Sequence, residues 1–287
     1  MTETKKLVAV ITGASRGLGK GIAVELGARG ATVYVVGRTT IGMSQVSAGG
    51  RPVPGSIDEA AEQVTAAGGH GIAVACDLSN DNDIQALFER IKAETGYLNI
   101  LVNNAASLHD EMGKRPFWEA PVKFADIIDV GLRCHQVATY YAAPLLVAAG
   151  RGLVVNISFY SNAKIHDPAY YAAKAGLDQL AASWSEDFTP RNVAAISLWP
   201  GFIRTERGEA MLGEKTEVFE GMGMESTRYE GRVIGAVWDD SDMMTLTGKT
   251  LIGAELGERY GLSDLPGFSP KSLREFYGPP HPRFDLD

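Results

Sequence analysis

Tyr170 and Lys174 stand four residues apart, the spacing that sets two side chains on one face of a helix, and together they could trade a proton. A free phenol has a pKa of about 10, and an ammonium beside it favours the phenolate, drawing that value toward neutrality. Tyr171 competes for the role but lies three residues from Lys174. A Tyr-x-x-x-Lys pair also arises by chance on exposed helix faces, so its weight comes from its surroundings. The second constellation is Thr12-Gly13-Ala14-Ser15-Arg16-Gly17-Leu18-Gly19. Glycines at 13, 17 and 19 let the backbone turn sharply and approach a diphosphate, and the helix expected from Lys20 to Arg29 offers free amides and a partial positive charge at its start. The G-x-x-x-G-x-G spacing differs from the commoner G-x-G-x-x-G, and in isolation the turn suits a purely structural role equally well. Its position directly after a first strand, where open α/β sheets bind ligands, favours a dinucleotide site.

Arg38 follows Gly37 at the end of the next apolar run, where readers of an unphosphorylated ribose normally place an acid. No acid stands there. Arg38 and Arg16 could clamp a 2′-phosphate, which points to NADP(H), with NAD(H) kept open; the bland reading is two solvated arginines.

These groups must be held by a scaffold, and the chain supplies one. Apolar runs at 7–11, 32–36, 71–75, 100–102, 153–157 and 194–198 are continuous rather than alternating, so both faces need covering, as in a parallel sheet between helix layers. Helical patterns lie between them, the clearest from Asp83 to Thr95 with Ile84, Leu87, Phe88 and Ile91 at three- and four-residue steps behind Ser79-Asn80-Asp81. The expected architecture is α/β, a single-domain doubly wound (Rossmann-like) parallel sheet over residues 1–287. A last strand is expected at Lys249 to Gly253. Residues 39–57 read as a long turn-rich loop, 206–231 as a substrate lid, and 262–287, with its prolines, as an irregular tail over the surface.

The 287 residues carry a net charge of -8 and no long basic block, which argues against nonspecific nucleic-acid or anionic-membrane binding. Leu7 to Ile11 is too short for a secretion signal, and the apolar stretch 137–149 falls short of the roughly 18 residues of a membrane span. Two cysteines, Cys76 and Cys134, make no disulfide framework and suit a reducing compartment, so a cytoplasmic location is expected. The five histidines, His70, His109, His135, His166 and His281, lack the paired spacing of a metal site, and no metal is expected.

The order and spacing of Thr12–Gly19, Asp77-Leu78, Asn103-Asn104-Ala105-Ala106, Tyr170-Tyr171-Ala172-Ala173-Lys174 and Pro200-Gly201-Phe202-Ile203-Arg204-Thr205 resemble the short-chain dehydrogenase/reductase family over roughly residues 6 to 255. Phe117-Trp118-Glu119, Gly131-Leu132-Arg133 and Ser197–Gly201 look like its family-member-1 branch. The resemblance implies hydride transfer between a nicotinamide and a carbonyl (ketone or aldehyde) or alcohol substrate, with Tyr170 as acid/base and Lys174 as its activator and a ligand of the nicotinamide ribose. It implies that Gly13, Ser15, Gly17, Leu18 and Gly19 hold the diphosphate, that Asp77 and Leu78 meet the adenine, and that Asn104 and Ala105 line the adenosine ribose. Pro200, Gly201, Ile203 and Thr205 would flank the nicotinamide. Asp77 equally suits a turn cap, and Asn103 reads as a brace within the sheet. The family also implies a homo-oligomer, dimer or tetramer, built through 137–147 and 172–188.

Two positions depart from the family pattern. Phe159 stands where a substrate-binding serine is usual; Ser158 is the nearest replacement, ahead of Ser161, and serves only if the strand end kinks or bulges, a structural serine being the alternative. Gly131 stands where a helix-bending asparagine supports a proton relay. These departures motivate a rival reading, a non-catalytic NADP(H)-binding regulatory or scaffold protein; an NAD-preferring alcohol dehydrogenase is the enzymatic alternative.

Overall fold

In the computed structural model, which describes residues 6–43, 46–160, 167–213 and 223–280, the apolar runs pair side by side. The strands in chain order are β1 (Val8–Thr12), β2 (Thr32–Gly37), β3 (Val46–Ala48), β4 (Arg51–Val53), β5 (His70–Ala75), β6 (Ile100–Asn103), β7 (Gly152–Ile157), β8 (Val193–Trp199) and β9 (Thr250–Ile252). Seven of them form one all-parallel sheet in the order β5-β2-β1-β6-β7-β8-β9. The chain runs outward from β1 to β5, then returns to β6 on the other side of β1. That reversal opens a crevice at the carboxyl ends of β1 and β6, the place where such sheets bind ligands.

Continuous apolar strands are explained by two cores, one on each face. Ala9 and Ile11 of β1 pack with α1 (Gly17–Ala28) and α2 (Ile57–Ala66), while Val8 and Val10 pack with α3 (Asp81–Glu94). Asn80 caps α3, its side chain accepting from Asn82 N, as the sequence indicated. Residues 126–149 form α4 (Asp126–Ile128), a π turn (Asp129–Arg133) and α5 (Cys134–Ala149); α6 (Pro168–Phe188) follows β7. Beyond β8 lie α7 (Glu206–Leu212), α8 (Tyr229–Asp239), α9 (Gly253–Arg259) and α10 (Arg274–Tyr277).

One expectation changes, and two segments gain definition. Residues 39–57 are not one long loop: β3 and β4 form a hairpin, because Gly49 and Gly50 take φ of 56° and 75° and supply the left-handed pair a tight hairpin turn needs. The segment 206–231 is helical at both ends, and residues 214–222 lie outside the described residues. In the tail, Arg274 pairs with Glu255 and Tyr277 packs on Phe159, Tyr160 and Phe202; residues 281–287 lie outside the described residues. Among the described residues no helix is long and apolar enough to cross a membrane.

Candidate active site

The glycine turn is shaped by what approaches it. Gly13 has φ of 66°, and a Cβ there would lie 2.7 Å from Ala105 Cα, so both its backbone conformation and its neighbour require glycine. Thr12 Oγ1 accepts from Asn104 N at 2.9 Å and donates to Val102 O at 3.2 Å, while Asn104 Nδ2 donates to Thr12 O at 2.8 Å. Asn104 therefore braces the turn with its amide hydrogens. Asn103 braces the sheet, donating to Thr139 Oγ1 at 3.0 Å and Asn156 Oδ1 at 2.9 Å.

A cavity of about 490 Å3 opens over this turn. Its size is that of small-molecule sites in general. Every residue singled out from the sequence for catalysis or dinucleotide contact lines it except Gly19, which packs behind the turn against Asn104 and Gly13. At one end lie Arg38, Asp77 and Leu78; at the other, Ser158, Phe159, Tyr170, Lys174 and Phe202. Asp77 accepts from Ser79 N at 3.0 Å and Ser79 Oγ at 2.8 Å. Burial pushes its carboxyl up, and these bonds outweigh it, leaving it below its ordinary value. Arg38 is exposed at the rim. The Arg16 guanidinium, also at the cavity, donates to Pro54 O at 3.0 Å and Gly55 O at 2.6 Å, tying the turn to the segment after β4.

Helix α6 begins at Pro168, capped by Asp167, which accepts from Ala169 N at 2.9 Å. Its first turns aim Tyr170 and Lys174 at the cavity, with Lys174 Nζ 5.4 Å from the Tyr170 ring centroid. Lys174 is only 5% exposed and donates to Ile157 O at 2.8 Å. Burial lowers its ammonium to about 8, against the raising influence of Asp178 and Cys134. The phenol moves opposite to the expectation: burial pushes Tyr170 above its ordinary value, with Tyr171 adding to the rise. Desolvation dominates, so Tyr170 holds its proton at neutral pH.

Ser158 reaches the cavity without a bulge. The β7–β8 register runs unbroken to Ile157↔Leu198, and Ser158 N extends it to Leu198 O at 2.9 Å. The strand stops there, so Ser158 and Phe159 both line the site. Ser158 Oγ donates to Lys174 O at 2.9 Å. Ser161 and His166 lie outside the described residues. Gly131 sits inside the π turn, where a Cβ would meet Ala173 Cβ at 3.4 Å. The nearby His135 is buried and held neutral, burial lowering it to about 3, with Nε2 2.9 Å from Ala105 O. Cys134 is fully buried and burial pushes its thiol up to about 12, as expected of a packing residue.

Three carboxylates around the site were not singled out from the sequence. Asp178 continues the four-residue ladder Tyr170–Lys174–Asp178 and accepts from Ser197 Oγ at 2.5 Å and Trp199 Nε1 at 3.1 Å; the ladder itself was the available signal. Glu225 accepts from Gly201 N at 2.9 Å, and its backbone pairs with Phe202 and Arg204, so it props the Pro200–Thr205 loop. Glu206 reaches Gly17 N at 2.7 Å. The last two contacts join distant segments and leave no local signal.

The family model for short chain dehydrogenase matches residues 7–215. Dehydrogenase/reductase SDR family member 1 of Mus musculus is 35% identical over 92% of this chain and 84% of its own length. The 3-oxoacyl-[acyl-carrier-protein] reductase FabG of Staphylococcus aureus is 27% identical over 73% of this chain and 79% of its own. A short chain dehydrogenase structure from Mycobacterium thermoresistibile shares the fold with a TM-score of 0.78 at 22% identity, covering 94% of this chain and 93% of that one. The chain therefore belongs to the short-chain dehydrogenase/reductase family and is an oxidoreductase acting between CH-OH and C=O.

Proposed function

We propose that this chain is an NADP(H)-dependent oxidoreductase that interconverts a small-molecule ketone or aldehyde and its alcohol, with Tyr170 as the acid/base, Lys174 as its electrostatic partner and Ser158 as the hydroxyl beside the substrate oxygen. The observation that carries this reading is the convergence of Ser158, Tyr170 and Lys174 on one end of the cavity whose other end is the glycine turn. The turn fits a dinucleotide: the first amides of α1, of which Gly17 N donates to Glu206, lie beneath a crevice with Arg38 at its rim. When bound, a nicotinamide dinucleotide supplies or accepts the hydride.

In this reading Gly13, Ser15, Gly17 and Leu18 hold the diphosphate, Gly19 packs the turn, Arg38 takes the 2′-phosphate, and Asp77 with Leu78 borders the adenine. Asn104 and Ala105 line the adenosine ribose, and Pro200, Gly201, Ile203 and Thr205 flank the nicotinamide. In reduction Tyr170 delivers its proton to the oxygen that gains charge, and the buried Lys174 ammonium favours the phenolate left behind. Two buried free cysteines suit a reducing compartment such as the cytoplasm. Exposed Tyr140 and Val147 on α5 favour pairing with a second copy of the chain.

Tyr170→Phe tests the reading. Reduction of a responsive carbonyl, followed at the NADPH absorbance, is expected to fall by roughly 10²-fold or more while NADPH binding persists; undiminished turnover overturns the mechanism. NADPH binding with no turnover of any carbonyl across a broad screen would favour a non-catalytic role. One observation favours the NAD-preferring alternative: the commitment of Arg16 to Pro54 and Gly55 leaves Arg38 as the chief candidate for a 2′-phosphate.

A further inference from the structure

The first amide of α1 already carries an anion. Gly17 N donates to Glu206 Oε2 at 2.7 Å, and Lys20 Nζ, one turn deeper along α1, is ion-paired with Glu206 Oε1. The two partners lie far apart in sequence from Glu206, so this is a tertiary contact that brings α7 across the mouth of the glycine turn. The pair is largely shielded, with side-chain exposures of 22% for Lys20 and 19% for Glu206. Glu206 and Gly17 line the same cavity.

A carboxylate at a helix start satisfies the free amide and the helix dipole in the way a phosphate does. It also excludes one, because the single N–H of Gly17 cannot serve two anions. The other cations near this point are engaged elsewhere: Arg16 on Pro54 O and Gly55 O, and Arg207 on Asp110 Oδ1 at 2.5 Å and Leu108 O at 3.2 Å. Burial pushes the Glu206 carboxyl up, but Lys20 and the amide bonds outweigh it and hold it below the ordinary range, so it stays charged at neutral pH. Exchange needs no unfolding of α7. That helix keeps its ties through Arg207 and through Arg51, whose Nη1 donates to Ala210 O at 3.2 Å, while the Glu206 side chain swings out.

We propose that Glu206 is the resident anion of the phosphate subsite: a dinucleotide diphosphate enters by displacing its carboxylate from Gly17 N, and Lys20, released from that ion pair, becomes a partner of the diphosphate. The inference rests on the dinucleotide reading above and adds to it an autoinhibitory carboxylate and a further cofactor-binding lysine.

The test is a titration of the full-length protein with NADPH at fixed ionic strength, by calorimetry, for the wild type, E206Q, K20Q, the double variant, and E89Q as a control for bulk charge on the exposed face of α3. E206Q is expected to bind about tenfold more tightly than wild type, E89Q as wild type, and the double variant about tenfold more weakly than E206Q. Should E206Q not fold, E206S, a short neutral cap, carries the same expectation. Equal or weaker binding by E206Q, an equal gain in E89Q, or a double variant as tight as E206Q would overturn the proposal. If no folded form binds NADPH at all, the dinucleotide reading itself falls and the proposal with it, an outcome distinct from wild-type binding that Glu206 does not affect.

Discussion

Ser158 and Lys174 are cross-braced: Ser158 Oγ donates to the Lys174 carbonyl at 2.9 Å, and Lys174 Nζ donates to the carbonyl of Ile157, the residue before Ser158, at 2.8 Å. The end of β7 and the second turn of α6 are thereby fixed to each other at the place where both side chains meet the cavity. Orientation is set before a ligand arrives, which removes part of the ordering cost from the reacting complex.

Ser158→Ala removes one half of that brace and the hydroxyl proposed to meet the substrate oxygen. Stability is expected to fall by about 1 kcal/mol, the net value of one hydrogen bond, seen as a small drop in Tm. Turnover is expected to fall by a larger factor, on the order of 10²-fold, with NADPH affinity nearly unchanged. Full kcat in a folded S158A protein would assign the carbonyl contact to another group.

Lys174 gives a pH signature with a defined sign. Its ammonium is lowered from 10.5 to about 8. Between those values the unfolded chain binds more protons than the folded one, so stability rises with pH across that window; the burial penalty is fully present below about 8. Catalysis runs the other way, because reduction draws on the charged form: kcat/KM should decline as pH rises through about 8. Lys174→Met should flatten both profiles. Thermal melts and initial rates from pH 7 to 10 read the two effects separately, and a wild-type rate that stays level across pH 8 would remove the ammonium from the mechanism.

Arg38 and Arg16 looked equivalent as sequence features, and the structure separates them. Arg38→Ala should raise the NADPH Kd by about tenfold while changing NADH affinity little. Arg16→Ala should instead lower Tm, since it loses bonds to Pro54 O and Gly55 O that tie the glycine turn to the hairpin side. Affinity measurements for both cofactors on both variants decide this; a larger preference change in R16A than in R38A would reverse the assignment.

What the sequence made legible was set by periodicity and local spacing. Ile84, Leu87, Phe88 and Ile91 announce α3, and runs such as Val8–Ile11 announce strands buried on both faces. Tyr170 and Lys174 were visible because a helix converts a four-residue step into a shared face. Features set by tertiary contact stayed hidden. Nothing local marks Arg16 as held by carbonyls nearly forty residues away, or Glu206 as the partner of a turn near the other end of the chain. The direction of the Tyr170 shift was misjudged because the sequence shows the neighbouring ammonium and not the depth of burial. The β3–β4 hairpin was missed because strands of three residues show too little alternation to read.

Glu225 and Glu230 are buried side by side behind the Pro200–Thr205 loop. Glu225 Oε2 and both oxygens of Glu230 have no hydrogen-bond partner among the described residues, and one carboxyl proton would supply the missing donor between them. Around them lie Gly201 N on the loop, Asp264 from the tail, and Tyr229 and Arg232 on α8, with Arg232 engaged by Asp264 and Glu25. Burial pushes Glu225 up to about 7 and raises Glu230 well above its ordinary value, Asp264 reinforcing both. Raised acids stabilise the fold fully below their unfolded values and lose that contribution as pH climbs through the folded ones. Tm should therefore fall as pH climbs from about 4.5, where the unfolded carboxyls lose their protons, through about 7 and beyond, as the buried pair is forced toward two charges. Glu225→Gln supplies a permanent amide donor toward Glu230 and should flatten that fall, while Glu89→Gln should not. Melts of the three proteins at matched ionic strength check this, and an E225Q profile as steep as wild type would place the pH sensitivity elsewhere.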